Sequence, residues 1–138
     1  MRTGLTLNDL GDLLEQPILA VLATKRKNGT VLLSPVWHEW SGGGFSIVVW
    51  ANDIKSKNIQ ANPDVTVLVA ETVHPYRSLE ISGTATLEAL TDPMPFVTRL
   101  GMRYISADGA AYVEKYRGTE MELVRVKPGI VRAWDFAT

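Results

Sequence analysis

Lys27-Asn28-Gly29 sits between two apolar runs, Ile18–Thr24 and Val31–Trp40. Asn-Gly accepts the positive φ that a tight strand reversal requires, so the runs are predicted to pair as antiparallel neighbours. The first run barely alternates, which predicts a strand covered on both faces. Ser34-Pro35 interrupts the second run. A proline cannot donate to a ladder, so this strand belongs at a sheet edge or bulges there.

The same punctuation continues along the chain. Ser41-Gly42-Gly43-Gly44 turns it into Phe45–Trp50; Val65–Ala70 follows, and a turn is expected at His74-Pro75. Tyr76–Ala89 sets Leu79 and Ile81 against Glu80 and Ser82, with Gly83 marking a bulge in a long strand. Glu120–Lys127 and Ile130–Phe136 are expected to form a closing hairpin through Pro128-Gly129. Helices are expected in three places besides. Thr6-Leu7-Asn8-Asp9 resembles a capping signal, with Leu7, Leu10, Leu13 and Leu14 at helical spacing, stopped by Pro17. Pro93–Ile105 places Phe96, Val97, Leu100 and Tyr104 on one side, and Ala110–Arg117 ends at Gly118.

Strands joined by tight turns, with a few short flanking helices, predict a mainly β (α+β) fold built as an antiparallel barrel. The 138 residues fit one domain, 1–138. A small barrel fills its own interior, so a ligand is expected outside it or at a subunit interface.

Bulk properties exclude several classes. The net charge of -1 supplies no basic field for nucleic acid or an anionic membrane. The absence of cysteine removes disulfides, thiol chemistry and cysteine-ligated metals. No apolar run follows Met1-Arg2-Thr3-Gly4-Leu5, and none approaches the roughly 18 residues of a membrane span. A cytoplasmic protein is the expectation. His38 and His74 share no ligand spacing with a second candidate, so no metal site is expected. No Gly-x-Ser-x-Gly turn activates a serine, and Gly42-Gly43-Gly44 lacks the Lys-Ser/Thr of a phosphate loop.

The segment Ala51–Pro63 carries the remaining chemistry. Asp53 or Ser56 caps a short helix there, Asn62-Pro63 stops it, and Lys55 and Lys57 lie near its start. Two readings fit this spacing: a solvated basic helix, or an anion site made of backbone N–H groups, the helix dipole and mobile ammonium groups. Trp37, Trp40 and Trp50 fall on strands that the Gly42–Gly44 turn makes neighbours. At least one is expected to be cross-strand core packing. The others are suited to wall a flat aromatic ligand, and Arg77 adds a further cation.

The order of these motifs resembles the pyridoxamine phosphate oxidase-like split β-barrel family. The resemblance runs from Ala20–Thr24 through Asn28-Gly29, Ser34-Pro35-Val36-Trp37, Lys55–Ile59 and Asn62–Val65. It continues through Tyr76–Ala85 to Arg125–Pro128 and Arg132-Ala133-Trp134. It implies a homodimer with FMN or the deazaflavin coenzyme F-420 at the interface. Carried over by position, Ser34, Pro35, Val36 and Trp37 lie along the cofactor, and Val49, Trp50 and Ala51 line its ring or ribityl portion. Lys55, Lys57 and Asn58 hold the phosphate end, and Arg77 with Ser78 approaches from the next strand.

The chain has Leu33 and Ile54 where vitamin-B6 phosphate oxidases carry arginines, and it lacks their C-terminal substrate-binding pattern. It therefore looks more like the F-420-using branch, in which lysines act as point charges for an extended phosphodiester tail. The implied function is an oxidoreductase passing hydride to a planar, conjugated small molecule. FMN in place of F-420 is one alternative, and a non-catalytic cofactor carrier is another. Tyr76 and His38 are the side chains considered for proton donation, with solvent as the third source.

Overall fold

The computed structural model describes residues 1–138. Seven strands form one sheet: β1 (Ala20–Lys25), β2 (Val31–Val36), β3 (His38–Ser41), β4 (Gly44–Trp50), β5 (Asp64–Ala70), β6 (Ser78–Ala89) and β7 (Met121–Trp134). Their spatial order is β2-β1-β5-β6-β7-β4-β3, and every pairing is antiparallel. The edge strands β2 and β3 are consecutive in the chain and meet at Trp37, so the sheet curls with a corner at that residue. This is the β-rich α+β architecture of a split barrel, and Pro35 lies on an edge strand where its missing N–H is tolerated. Three helices flank the sheet: α1 (Ile54–Ala61), α2 (Met94–Ile105) and α3 (Gly109–Val113).

The barrel interior is one cluster that includes Leu22, Phe45, Ile47, Val67, Leu79, Ile81 and Val124. Strand β1 alternates between buried and half-buried positions, so only one of its faces is fully covered. Trp40 joins this interior edge-on to Phe45, ring centroids 4.9 Å apart, as cross-strand packing predicts.

Three elements differ from expectation. The N-terminal helix is replaced by two three-residue 3-10 turns, Asn8–Leu10 and Leu13–Glu15. Asp9 and Thr6 do exchange hydrogen bonds as a capping pair. Gly11, at φ +58°, then breaks the helix after one turn, and Arg77 holds the break by donating to the Leu10 carbonyl at 2.8 Å. Leu10 and Leu13 still reach the core.

The closing hairpin is instead one continuous strand, β7, paired with β6 along its length. Ser82 faces Ile130 and Gly83 faces Pro128, so Gly129 is the extra residue of a bulge. Pro128 lies beyond the last β4 pairing, at Val126, where β7 has become an edge. Gly83 is required opposite it, because a Cβ there would stand 2.0 Å from the Lys127 carbonyl oxygen. The third difference is the short helix, which runs only Gly109–Val113 between 3-10 turns.

A second, smaller cluster lies outside the barrel. Met94, Val97 and Val113 of the helices pack with Met121 and, at the margins, Trp37, Val48 and Tyr116. Helices α2 and α3 approach so closely at Gly101 and Gly109 that a Cβ on Gly109 would lie 2.0 Å from the Gly101 oxygen. That crossing brings Tyr112 and Tyr116 over the outer face of β4.

Candidate functional site

Asp53 is the residue that caps α1, accepting the Ser56 N–H at 2.9 Å on Oδ1. Asn62 ends the helix as expected. Two buried contacts fix α1 to the sheet: Ser56 donates to Glu122 at 2.5 Å, and Asn58 Nδ2 donates to Thr24 Oγ1 at 3.1 Å. The free N-terminal anion site considered for this helix is therefore already served by a carboxylate of the chain. The same Asp53 pairs through Oδ2 with Lys55 Nζ at 2.9 Å.

Residues two apart on a helix point to different sides. Lys55 faces a groove of about 390 Å³ on one side of α1, whereas Lys57 faces a separate, open depression with Arg26, Lys27 and Asn58. Ten of the thirteen residues lining the groove are hydrophobic, so a ligand there meets mainly apolar surface. The groove brings together Pro35, Val36, Trp37, Val49, Trp50 and Lys55 from the sequence-derived set.

The remaining six of that set lie outside the groove of this chain: Ser34, Ala51, Lys57, Asn58, Arg77 and Ser78. Arg77 donates to both oxygens of Glu71 at 2.9 and 2.8 Å, to Asp12 at 2.7 Å and to Leu10. Its charge is matched by this network, which ties the N-terminal turns to the β5–β6 connection. Ser78 is buried and donates to the Tyr76 carbonyl at 3.0 Å.

Sequence reasoning missed the other wall of the groove, made by Val97, Leu100, Tyr112, Tyr116 and Met121. Gly101 and Gly109 were the available signal, since a glycine inside a helical pattern marks a close backbone approach. Trp37 is held at the sheet corner by stacking on Tyr104, 5.2 Å between centroids and 4° between planes. Trp50 ends β4 with its ring tilted against Tyr116 at 5.8 Å and remains half-exposed.

Behind this wall, Tyr104 Oη donates to the Ile18 carbonyl at 2.9 Å and accepts the His38 N–H at 3.0 Å. His38 is fully buried and its Nε2 meets the same carbonyl at 3.1 Å, so that nitrogen carries the proton. Burial, helped by the nearby Arg103 charge, pushes its pKa down to about 4. The imidazole is therefore neutral at physiological pH and sealed from the groove. Tyr76, the other proton donor considered, packs against His74 and Phe136 away from the groove.

A family model described as pyridoxamine 5'-phosphate oxidase matches residues 9–135. The chain belongs to the pyridoxamine 5'-phosphate oxidase family. Among solved structures, one titled F420 reductase is 30% identical, covering 87% of this chain and 93% of its own, with a TM-score of 0.70. An FAD-binding protein from Mesorhizobium loti is 18% identical over 99% of this chain and 98% of its own, TM-score 0.67. The heme storage protein HutZ from Vibrio cholerae is 12% identical over 94% of each chain, TM-score 0.69. The last two share the fold of the pyridoxamine 5'-phosphate oxidase family and, at those identities, establish nothing further. No curated protein matches the chain. No helix is long and apolar enough to cross a membrane.

Proposed function

We propose that the groove binds the ring of coenzyme F-420 and that the protein is an F-420-dependent reductase of a planar, conjugated small molecule. The observation that carries this reading is the groove itself: apolar, walled by Trp37, Trp50 and Tyr116, and provided with Lys55 at the α1 end. Its volume of about 390 Å³ falls within the range of small-molecule sites, and aromatic walls suit a flat conjugated ring. Supporting it is the 30% identity to an F420 reductase over most of both chains.

When bound, the deazaflavin supplies hydride chemistry that no side chain of the protein can perform. The chain's own work is to hold the ring, keep water out and orient the acceptor. Val36, Val49 and Met121 exclude water; Trp37 and Trp50 present aromatic surface; Lys55 offers a cation to a phosphate while Asp53 fixes its position. A homodimer that completes the site is part of the proposal. Leu33 and Ile130 leave 65% and 70% of their surface exposed in one chain, apolar area that a second copy would cover. We further propose that residues 1–138 form one domain and that the protein is cytoplasmic.

FMN is the alternative cofactor, favoured by the family match and disfavoured by Leu33 and Ile54 standing where the phosphate-binding arginines are expected. Titration of the protein with each cofactor, followed by quenching of tryptophan fluorescence, separates the two. The expected result is micromolar F-420 binding that weakens roughly 10- to 100-fold in Lys55→Ala, as the loss of a charge-assisted contact implies. Micromolar FMN binding with none for F-420 would overturn the assignment. A cofactor bound tightly but never oxidised by a quinone or enone would leave a carrier.

A further inference from the structure

We infer that Tyr112, backed by Lys115 and Tyr116, gives its hydroxyl proton to the oxygen of a carbonyl-bearing acceptor bound in the groove. The inference rests on the reductase reading above and adds to it a proton donor, and with it a carbonyl oxygen on the acceptor that receives the proton. It starts from the polar groups that line the groove. Asp53 caps α1 and holds Lys55, so these two charges neutralise each other at one end. Of the residues lining the groove, Tyr112 and Tyr116 are the two that carry a hydroxyl. The other candidates are spent: Tyr104 Oη is engaged by Ile18 and His38, and His38 is neutral and sealed.

Between the two tyrosines, the surroundings favour Tyr112. Lys115 Nζ stands 3.9 Å from the Tyr112 ring centroid and 5.1 Å from that of Tyr116. Trp37 faces Tyr112 from the sheet corner at 6.2 Å, and the nearby charges Glu114 and Arg117 are paired with each other. A cation at this distance stabilises a phenolate and so makes the phenol a better acid. The adjacent Tyr116 side chain and the Lys115 ammonium hold Tyr112 below the ordinary tyrosine range, and Lys115 is correspondingly raised. Tyr112 is also 43% exposed, which leaves it open to a ligand and to reprotonation by solvent.

Two electrons reach the acceptor as hydride from a reduced flavin-type cofactor, forming a C–H bond at the β-carbon of an enone or an O–H bond at one oxygen of a quinone, and in either case leaving a negative charge on the carbonyl oxygen. The Tyr112 O–H bond breaks, its proton passes to that oxygen, and the electron pair stays on the phenolate beside Lys115 until water restores the proton.

Two measurements test this. In the apoprotein, the near-ultraviolet absorbance of phenolate is followed as pH rises. One of the four tyrosines is expected to ionise below the usual pKa of about 10. That transition is expected to vanish in Tyr112→Phe and to move upward in Lys115→Met. In the holoprotein, with reduced F-420 and menadione, kcat of the wild type is expected to fall at alkaline pH as the phenol loses its proton. Tyr112→Phe is expected to lose about 100-fold in kcat together with that alkaline limb, and Lys115→Met to shift the limb upward. If Tyr112→Phe keeps the wild-type kcat and limb, or no tyrosine in the apoprotein ionises early, the donor assignment is overturned and the reductase reading stands. If the wild type neither binds nor turns over either cofactor, the reductase reading falls and the assignment falls with it.

Discussion

The two faces of β4 meet different fates. On one face Phe45, Ile47 and Val49 enter the barrel cluster, which strands, α1 and the N-terminal turns enclose, and only Val49 also reaches the groove. On the other, Val48 meets α2 and α3, which cover the sheet incompletely. Side chains alternate along one strand, so seven residues serve both a sealed core and a ligand-sized gap. The sealed face is mostly aliphatic, with Phe45 fully buried in it and Trp40 partly buried against it. The open face is rich in aromatic rings whose edges remain in solvent. The core supplies stability, and the site lies where a short helix pair fails to finish the covering.

Truncating one aromatic on each face separates the two roles. Phe45→Ala removes a fully buried ring that supports Trp40 and His38 edge-on, and is expected to cost about 3–5 kcal/mol in urea denaturation. Trp50→Ala, on a half-exposed ring at the end of the same strand, is expected to change stability by less than about 1 kcal/mol. Its loss is expected to appear as weaker cofactor binding. Equal destabilisation by both would mean that the outer face is core as well.

A second contrast separates the cations. Arg77 is surrounded by acceptors, whereas Lys55 has one carboxylate partner. Arg77→Leu strands Glu71, whose side chain is only 4% exposed, so a loss of about 2–3 kcal/mol is expected. Part of the pair stays hydrated, which keeps the effect below that of a fully buried pair. The pH dependence follows from Glu71. Hydrogen bonding to Arg77 holds its carboxyl below the usual range, so the folded state has the lower pKa. Its stabilisation is present above the unfolded pKa of about 4.5 and is lost as pH falls through the lower, folded value. Thermal melts between neutral and acid pH are expected to converge for wild type and Arg77→Leu in the acid range. Parallel curves would show that Glu71 is not the linked group.

This contrast also explains what the sequence allowed to be read. Asn28-Gly29, the edge position of Pro35 and the cap and stop of α1 are local events, and local residue chemistry decides them; Gly83 marks the bulge, but the extra residue is Gly129 on the facing strand. Pro128-Gly129 carries the same turn chemistry as a hairpin, yet β6 offers a partner long enough to keep β7 extended through it. The N-terminal leucines have helical spacing, but Gly11 turns the chain at positive φ and the Leu10 carbonyl accepts from Arg77, far along the chain. The groove was half legible. Its strand wall and Lys55 follow from motif order, whereas its helical wall depends on a glycine crossing that only tertiary contact defines.

That crossing gives a smaller effect than the loss of Phe45 or Arg77, and the one most specific to the site. A Cβ at position 109 would overlap the Gly101 carbonyl, so Gly109→Ala must push α3 away from α2. Overpacking of this kind costs about 1–3 kcal/mol, and the better helix propensity of alanine returns up to about 1. A net loss of about 1–2 kcal/mol is expected in urea denaturation. Tyr112 sits three residues beyond Gly109 on the same helix, and Tyr116 follows on the next turn, so both rings shift with α3. Trp50, which rests on Tyr116, is then expected to become more exposed, read as a red shift in its emission and a drop in F-420 affinity. The barrel cluster has no residue from α2 or α3, so the signals of its strands are expected to stay in place in a backbone NMR spectrum. A loss of stability with unchanged tryptophan emission and affinity would mean that the groove keeps its shape without the crossing, and that the strand wall alone defines the site.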